Sequence, residues 1–194
     1  GKERQSTWSG YMETKTHYSD KTFSAKQSFV EQALDEFKPG AVLDAGCNTG
    51  HFSAISARRG SSVVAVDYDP VVVGGVWRRA RADKLDILPL VVNVTRPTPA
   101  VGWRNRECLS FLERACGRFD AVLMLAVIHH MIVTERVPVD EVVDLSADLT
   151  RGVAVIEFIS PDDPMFRRLT RGRDALHDGL TRAVFEDSCR RRFE

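Results

Sequence analysis

In the stretch Asp44-Ala45-Gly46-Cys47-Asn48-Thr49-Gly50, a carboxylate stands directly before two closely spaced glycines. Glycine lets a backbone turn tightly and approach a ligand, and Asn48 is of a residue type that tolerates left-handed geometry well. The glycines follow G-x-x-x-G spacing, not the G-x-G-x-x-G that brings amides onto a dinucleotide's pyrophosphate. A carboxylate at Asp44 would repel a pyrophosphate and suit an ammonium group. Asp67 closes a second apolar run, where a carboxylate can accept both hydroxyls of a ribose. Further along, His129-His130 supplies imidazoles, whose ordinary pKa of about 6.5 suits proton transfer at neutral pH. Consecutive helical side chains diverge by about 100°, so only one of the two faces a given pocket. Glu157 lies among apolar residues, and a buried carboxylate needs a partner, either an acceptor group or an Arg.

These residues need elements to hold them. Phe29, Val30, Ala33, Leu34 and Phe37 share one face of a helix expected over 24–37, with Ser24 as N-cap and Pro39-Gly40 as its stop. Short apolar runs at 41–44, 62–67, 87–93, 119–125 and 153–159 read as strands. Between them, helices are expected over 51–59, from Pro70 to about 84, over 107–116, and from Pro138 through Leu149. The segment 94–106 carries Pro97, Pro99 and Gly102 and reads as loop. Continuous apolar strands alternating with helices predict an α/β fold, a doubly wound, mostly parallel sheet covered on both faces. Such sheets bind ligands beyond the carboxyl ends of their strands, here near Asp44, Asp67, Asn93, Leu125 and Glu157. Residues 1–23, polar with scattered aromatics, read as an N-terminal arm or lid; 24–194 read as the ligand-binding domain.

Composition bounds the function. The 194 residues carry 27 basic and 27 acidic side chains, so a nucleic-acid footprint is not expected. No apolar run approaches a membrane span, and no secretory signal is visible, so the expectation is a cytoplasmic protein without membrane partners. Cys47, Cys108, Cys116 and Cys189 form no C-x-x-C pair and read as reduced, mostly buried thiols. Adjacent histidines alone make no metal site, so no metal is expected.

The 42–50 stretch resembles motif I of the class I S-adenosylmethionine (SAM)-dependent methyltransferases, whose middle glycine is replaced here by Asn48. Further stretches narrow the likeness: Leu88-Pro89-Leu90-Val91-Val92-Asn93, Arg96-Pro97-Thr98-Pro99-Ala100-Val101-Gly102-Trp103, Leu125-Ala126-Val127-Ile128-His129-His130, Ile156-Glu157-Phe158-Ile159 and Asp163-Pro164-Met165-Phe166. Together they resemble the methyltransferase domain of the host-specific nodulation protein (NoeA-like) family, from about Trp8 to the end. The resemblance implies a Rossmann-like fold and SAM as cofactor, with S-adenosylhomocysteine as product. It implies cofactor-binding roles for Asp44, Gly46, Cys47, Asn48, Gly50, Asp67, Tyr68, Asn93 and Leu125. Asn93 would meet the adenine amino group, and Leu125 would pack near the sulfonium. His129, His130 and Glu157 are the catalytic candidates.

Family members carry an additional N-terminal region and a seven-stranded sheet. Five strands are legible here, so the expectation is a piece of a longer protein whose last two strands are missing. In this fold the arm often closes over cofactor and acceptor, so the aromatics of a set comprising Trp8, Tyr11, Tyr18 and Lys21, with Trp103 and Glu107 in or beside the later Pro-rich loop, either wall an acceptor pocket or, the favoured reading, anchor the arm to the core. Arg167, Arg168, Arg171 and Arg173 could meet an anionic acceptor, against a solvated or salt-bridged face; Asp162 and Asp163 read as turn acids. The expected activity is methylation of oxygen or nitrogen on a small-molecule acceptor. The alternative is a non-catalytic methyltransferase-like interaction module. An NAD-dependent oxidoreductase is disfavoured by Asp44 and the glycine spacing.

Overall fold

The structure, a computed structural model, describes residues 20–193. Trp8, Tyr11 and Tyr18, and the side chain of Lys21, lie outside what it describes. The elements are α1 (Asp20–Phe37), β1 (Ala41–Ala45), α2 (His51–Arg58), β2 (Ser62–Asp67), α3 (Pro70–Ala82), β3 (Ile87–Val91), α4 (Phe111–Ala115), β4 (Phe119–Met124), α5 (Ile128–Val133), α6 (Val139–Leu149), β5 (Thr150–Ile156), α7 (Pro164–Thr170) and α8 (Arg182–Arg190). The five strands form one sheet in the order β3-β2-β1-β4-β5, and every neighbouring pair is parallel. This is the expected doubly wound α/β sheet. Its switch point lies between β1 and β4, where the chain leaves one half of the sheet and crosses to the other.

Side-chain alternation sorts the strands' residues into two core layers. Val42, Val63, Ala65, Ala121 and Leu123 pack with Val30 and Leu34 of α1, Ile55 of α2 and Val76 of α3. Leu43, Ala45, Val66, Val122 and Met124 face the opposite layer, with residues of α4, α5, α6, α7 and α8. Burial on both faces explains why these strands read as unbroken apolar runs. Asp120 pins the start of β1: its carboxylate accepts from the amides of Gly40 (3.0 Å) and Ala41 (2.9 Å) and pairs with Arg151 (2.8 Å).

Several boundaries differ from expectation. α1 begins at Asp20, ahead of Ser24, so Phe23 is helical. The fourth helix shrinks to Phe111–Ala115, because Ser110 and Glu113 form a reciprocal capping box there. The residues ahead of it close a hairpin through a Val101–Cys108 bridge. β5 starts at Thr150 and ends at Ile156, so Glu157 lies just beyond the strand, with its amide still donating to the Met124 carbonyl (3.0 Å). Cys108 and Cys116 are exposed; of the four thiols only Cys47 is fully buried, which corrects the expectation of mostly buried thiols.

Beyond β5 the chain folds back over the helical layer. Arg192 spans Asp144 (2.5 Å) and Asp148 (2.8 Å) of α6, and Phe185 of α8 stacks on Phe158 at 5.1 Å. Arg167 pairs with Asp162 at 3.0 Å on the surface, in keeping with a salt-bridged face. No described helix is long and apolar enough to cross a membrane.

Candidate active site

The β1–α2 turn packs against the segment after β4, across the switch point. Gly46 has φ +76°, and a Cβ there would lie 2.8 Å from Val127 Cγ2. Its amide and that of Cys47 both donate to the Val66 carbonyl, at 2.8 and 3.0 Å, which ties the turn to β2. Asn48 stands where the motif's middle glycine would be and adopts φ +47°, the left-handed geometry expected of it. Gly50 has φ +74° and opens α2, and a Cβ there would lie 2.8 Å from Val76 Cγ2. Its small size therefore serves contact with α3.

Asp67 is held by two backbone donors, the amides of Asn48 (3.0 Å, to Oδ2) and Asp69 (2.9 Å, to Oδ1). Asp69 in turn caps α3 through the Val71 amide. Burial raises the Asp67 carboxyl above its usual range, and the two amides work against that. Tyr68, next in sequence, exposes 55% of its surface beside this carboxylate.

Asp44 is buried at the end of β1, and its Oδ2 accepts from Ser53 Oγ at 2.5 Å. Burial drives its pKa up to about 6, against the lowering effects of Ser53 and Lys26. Burial also pushes the Cys47 thiol up, with Asp44 and Asp67 adding to the effect, so Cys47 is a packing thiol and no thiolate.

Asn93 is used by its own turn. Its Oδ1 accepts from the Thr95 amide (3.0 Å) and Thr95 hydroxyl (2.6 Å). Both lone pairs of that oxygen are occupied, so the group it can offer a ligand is the amide NH₂, a donor. Leu125 is nearly buried and the following Ala126 has φ +53°.

His129 and His130 open α5 with ring centroids 4.2 Å apart. His129 is 7% exposed, and burial, with His130 and Lys26 adding to it, depresses its pKa to about 3. Burial also lowers His130. Two buried polar atoms have no protein partner among the described residues: His129 Nδ1 and Asn48 Oδ1. Native structures rarely leave such atoms unsatisfied, so each marks a place where a ligand group would be welcome.

The two buried titratable groups oppose each other in acid. The His129 imidazole cannot take a proton while folded, so stability falls by roughly 1.4 kcal/mol per pH unit as pH drops below about 6.5 toward about 3. Asp44 takes its proton in the folded state first, so its contribution rises as pH drops from about 6 to near 3.8. The two slopes offset one another between those last values. Replacing His129 by Leu removes the His129 slope, while His130 and His51, which burial also lowers, keep theirs. From pH 6 to pH 4 the urea midpoint of the variant should therefore fall less, or rise more, than that of the unaltered chain, and parallel profiles would refute the depressed His129 imidazole.

A group on α1 that sequence reasoning passed over completes the site. Lys26 Nζ lies 2.6 Å from Glu157 Oε2, both side chains being largely buried, and 5.4 Å from the Phe52 ring centroid. Glu157 thus pairs with a lysine, where an Arg or an acceptor group was expected. Nearby, Gln27 Oε1 meets His51 Nε2 at 3.0 Å, and Phe23, His51 and Phe52 form an aromatic cluster. A lone Lys on an amphipathic helix carries no local signal of such a role; Ser53, three residues past Gly50, could have been suspected as Asp44's partner.

A family model described as a methyltransferase domain matches residues 18–181. Nodulation protein NoeA of Rhizobium meliloti (strain 1021) is 32% identical over 183 residues, covering 94% of this chain and 38% of NoeA. The O-antigen chain terminator bifunctional methyltransferase/kinase WbdD of Escherichia coli is 28% identical over 130 residues, 66% of this chain and 16% of WbdD. The chain thus spans well under half the length of either relative. A crystal structure of monomeric WbdD superposes with a TM-score of 0.57 at 19% identity, over 84% of this chain and 38% of that one, a likeness of fold. The five-stranded parallel sheet is a Rossmann-like methyltransferase fold, and this chain belongs to the methyltransferase-domain family.

Proposed function

We propose that this chain binds SAM at the switch point and directs methyl transfer to an oxygen or nitrogen of a small-molecule acceptor. The observation that carries the reading is the arrangement of Asp44, Gly46, Asn48 and Asp67 around one turn. Two strand-end carboxylates flank a backbone that approaches Val127 too closely for any side chain at Gly46. The residues suit the cofactor. Asp67, fixed by two amides, presents its remaining lone pairs to vicinal ribose hydroxyls. Asp44 meets the methionine ammonium, directly or through water. Asn48 Oδ1, without a protein partner, accepts from the ligand. Asn93 donates to an adenine ring nitrogen, Tyr68 covers the base, and Gly50, Cys47 and Leu125 shape the pocket.

When bound, SAM supplies a methyl group on a cationic sulfonium, open to in-line displacement. The chain's own residues then orient the acceptor and handle its proton. Burial holds His129 neutral, which suits a neutral hydrogen-bonding role and disfavours imidazolium. Glu157 or His130 serves better as proton acceptor, since an imidazolium at His129 would sit desolvated. WbdD is named as an O-antigen chain terminator, so O-antigen saccharides lead the acceptor screen. Calorimetric titration with SAM and S-adenosylhomocysteine tests the cofactor first; failure of both to bind would overturn the reading.

This binding has an expected pH dependence. An ammonium favours ionised Asp44, whose pKa is about 6 without it. Below that pH, the carboxyl must lose its proton for the ligand to bind, so affinity should fall about tenfold per pH unit. Titrations from pH 5 to 8 should show this bend, and Asp44→Asn should bind weakly and without it. A bend that survives in the variant would place the titrating group elsewhere.

A further inference from the structure

A cavity of about 290 Å³ lies between α5 and the segment that follows α7. Its apolar wall is made by Ile132 and Val133 of α5, Val137 of the turn into α6, and Leu176 of a short 3-10 turn, Asp174–His177. Ile132 and Val133 are buried, whereas Leu176 is 74% exposed and stands at the rim. Arg136 and Arg173, both exposed, line the same cavity. None of the lining residues belongs to the β1–α2 turn or to the groups assigned to the cofactor.

Both arginines are delivered by unusual backbone. Arg136 has φ +59°, and Arg173 follows Arg171 at φ +51° and Gly172 at φ +82°. Left-handed residues other than glycine are uncommon, and they gather at ligand clamps and active sites. The acids adjacent in sequence are already engaged. Glu135 pairs with Arg96 at 2.8 Å, and the Asp174 carboxylate accepts from the Thr170 hydroxyl. Among the described residues neither Arg136 nor Arg173 is in an ion pair, while Arg167, six residues before Arg173, is matched by Asp162. Arg173 Nε donates to the Thr170 carbonyl at 3.3 Å, which steadies the side chain and leaves its terminal nitrogens for another acceptor.

We propose that this cavity binds a small organic acid, its apolar body against Ile132, Val133, Val137 and Leu176 and its carboxylate held by Arg136 and Arg173. A guanidinium presents a planar fork of donors that matches a carboxylate. A bare inorganic anion would leave the apolar wall in water, and a neutral apolar molecule would leave both cations unused. The volume lies at the small end of ligand pockets, which suits an aryl or medium-chain aliphatic acid. Bound there, the acid fastens α5 to the start of α6 and to the turn after α7. The site is separate from the switch point and does not rest on the SAM reading.

Matched probes test the two halves of the site. The full chain is titrated with hydrocinnamate and octanoate, followed by saturation-transfer NMR and calorimetry, with hydrocinnamyl alcohol and inorganic phosphate alongside. Both acids should bind with millimolar or tighter affinity, the alcohol at least tenfold more weakly than hydrocinnamate, and phosphate should displace neither acid. Arg136→Gln/Arg173→Gln should weaken both acids at least tenfold and leave the alcohol within twofold. Leu176→Asp, a change at the exposed rim, sets a carboxylate beside the two arginines and should abolish acid binding; a melting curve checks that each variant folds. Equal affinity for acid and alcohol, displacement by phosphate, acid binding undiminished in the paired variant, or no binding of either acid by the unaltered chain would each overturn the proposal.

Discussion

Gly46→Ala is expected to destabilise the protein by about 3 kcal/mol, a fall in Tm of roughly 10 °C, and to abolish cofactor binding. Two costs add. The backbone stands at φ +76°, where an L side chain costs about 1–2 kcal/mol. The new methyl would also lie 2.8 Å from Val127 Cγ2 and 3.0 Å from Val127 Cβ, a contact that must be relieved by moving the segment after β4. Gly60→Ala is the matched control: φ is +94°, and nothing lies within 4 Å of the added carbon. It should carry the conformational cost alone. Thermal melts of the two variants give the Val127 contribution by difference, and Val127→Ala in the Gly46→Ala background should recover part of it. Equal melting shifts for both glycines would show that the turn does not press on the β4 side.

Asp67→Asn should weaken SAM and S-adenosylhomocysteine by roughly a hundred- to a thousandfold, from losing two charge-assisted hydrogen bonds to ribose. Alanine is a poorer test, because Asp67 also anchors the amides of Asn48 and Asp69. Asparagine retains an acceptor for one of them and removes a carboxylate that burial already penalises. Its stability should change by less than about 1 kcal/mol, so calorimetry reads recognition and a melting curve guards against misfolding. A 2′-deoxyribose analogue should lose affinity on the unaltered chain and little further on the variant. Unchanged affinity for the parent ligand would break the assignment of Asp67 to ribose.

Much of this was legible in the residues. Period-two burial on both faces writes β1, β2 and β4 as apolar runs, and strand-end acids mark the side on which a ligand sits. Asn48 in left-handed geometry and Gly46 in close approach follow from residue type and spacing. What local pattern could not show was set by tertiary partners. Asn93 reads equally as a base contact or a turn residue until Thr95 is seen to occupy its oxygen. That His129 is buried, with its pKa depressed to about 3, depends on packing that no local pattern shows. Lys26 is one of several charges on α1, and only its meeting with Glu157, 131 residues away, gives it meaning. The short fourth helix was legible in principle, because Ser110 and Glu113 have capping-box spacing.

The strand order has a consequence for how the molecule is made. β1, β2 and β3 are consecutive in the chain and adjacent in the sheet, so a ribosome delivers the half bearing Asp44 and Asp67 as one unit. The other edge of β1 waits for β4, whose Asp120 emerges 80 residues after the Gly40 it must hold. At about 5–20 residues per second, the nascent chain carries that open, apolar edge for roughly 4–16 s. During that interval β1 is a template for any unpaired strand, including the same strand of a neighbouring nascent chain on the same message. Slow translation between β3 and β4 would therefore penalise yield, while slow translation after β5 would not.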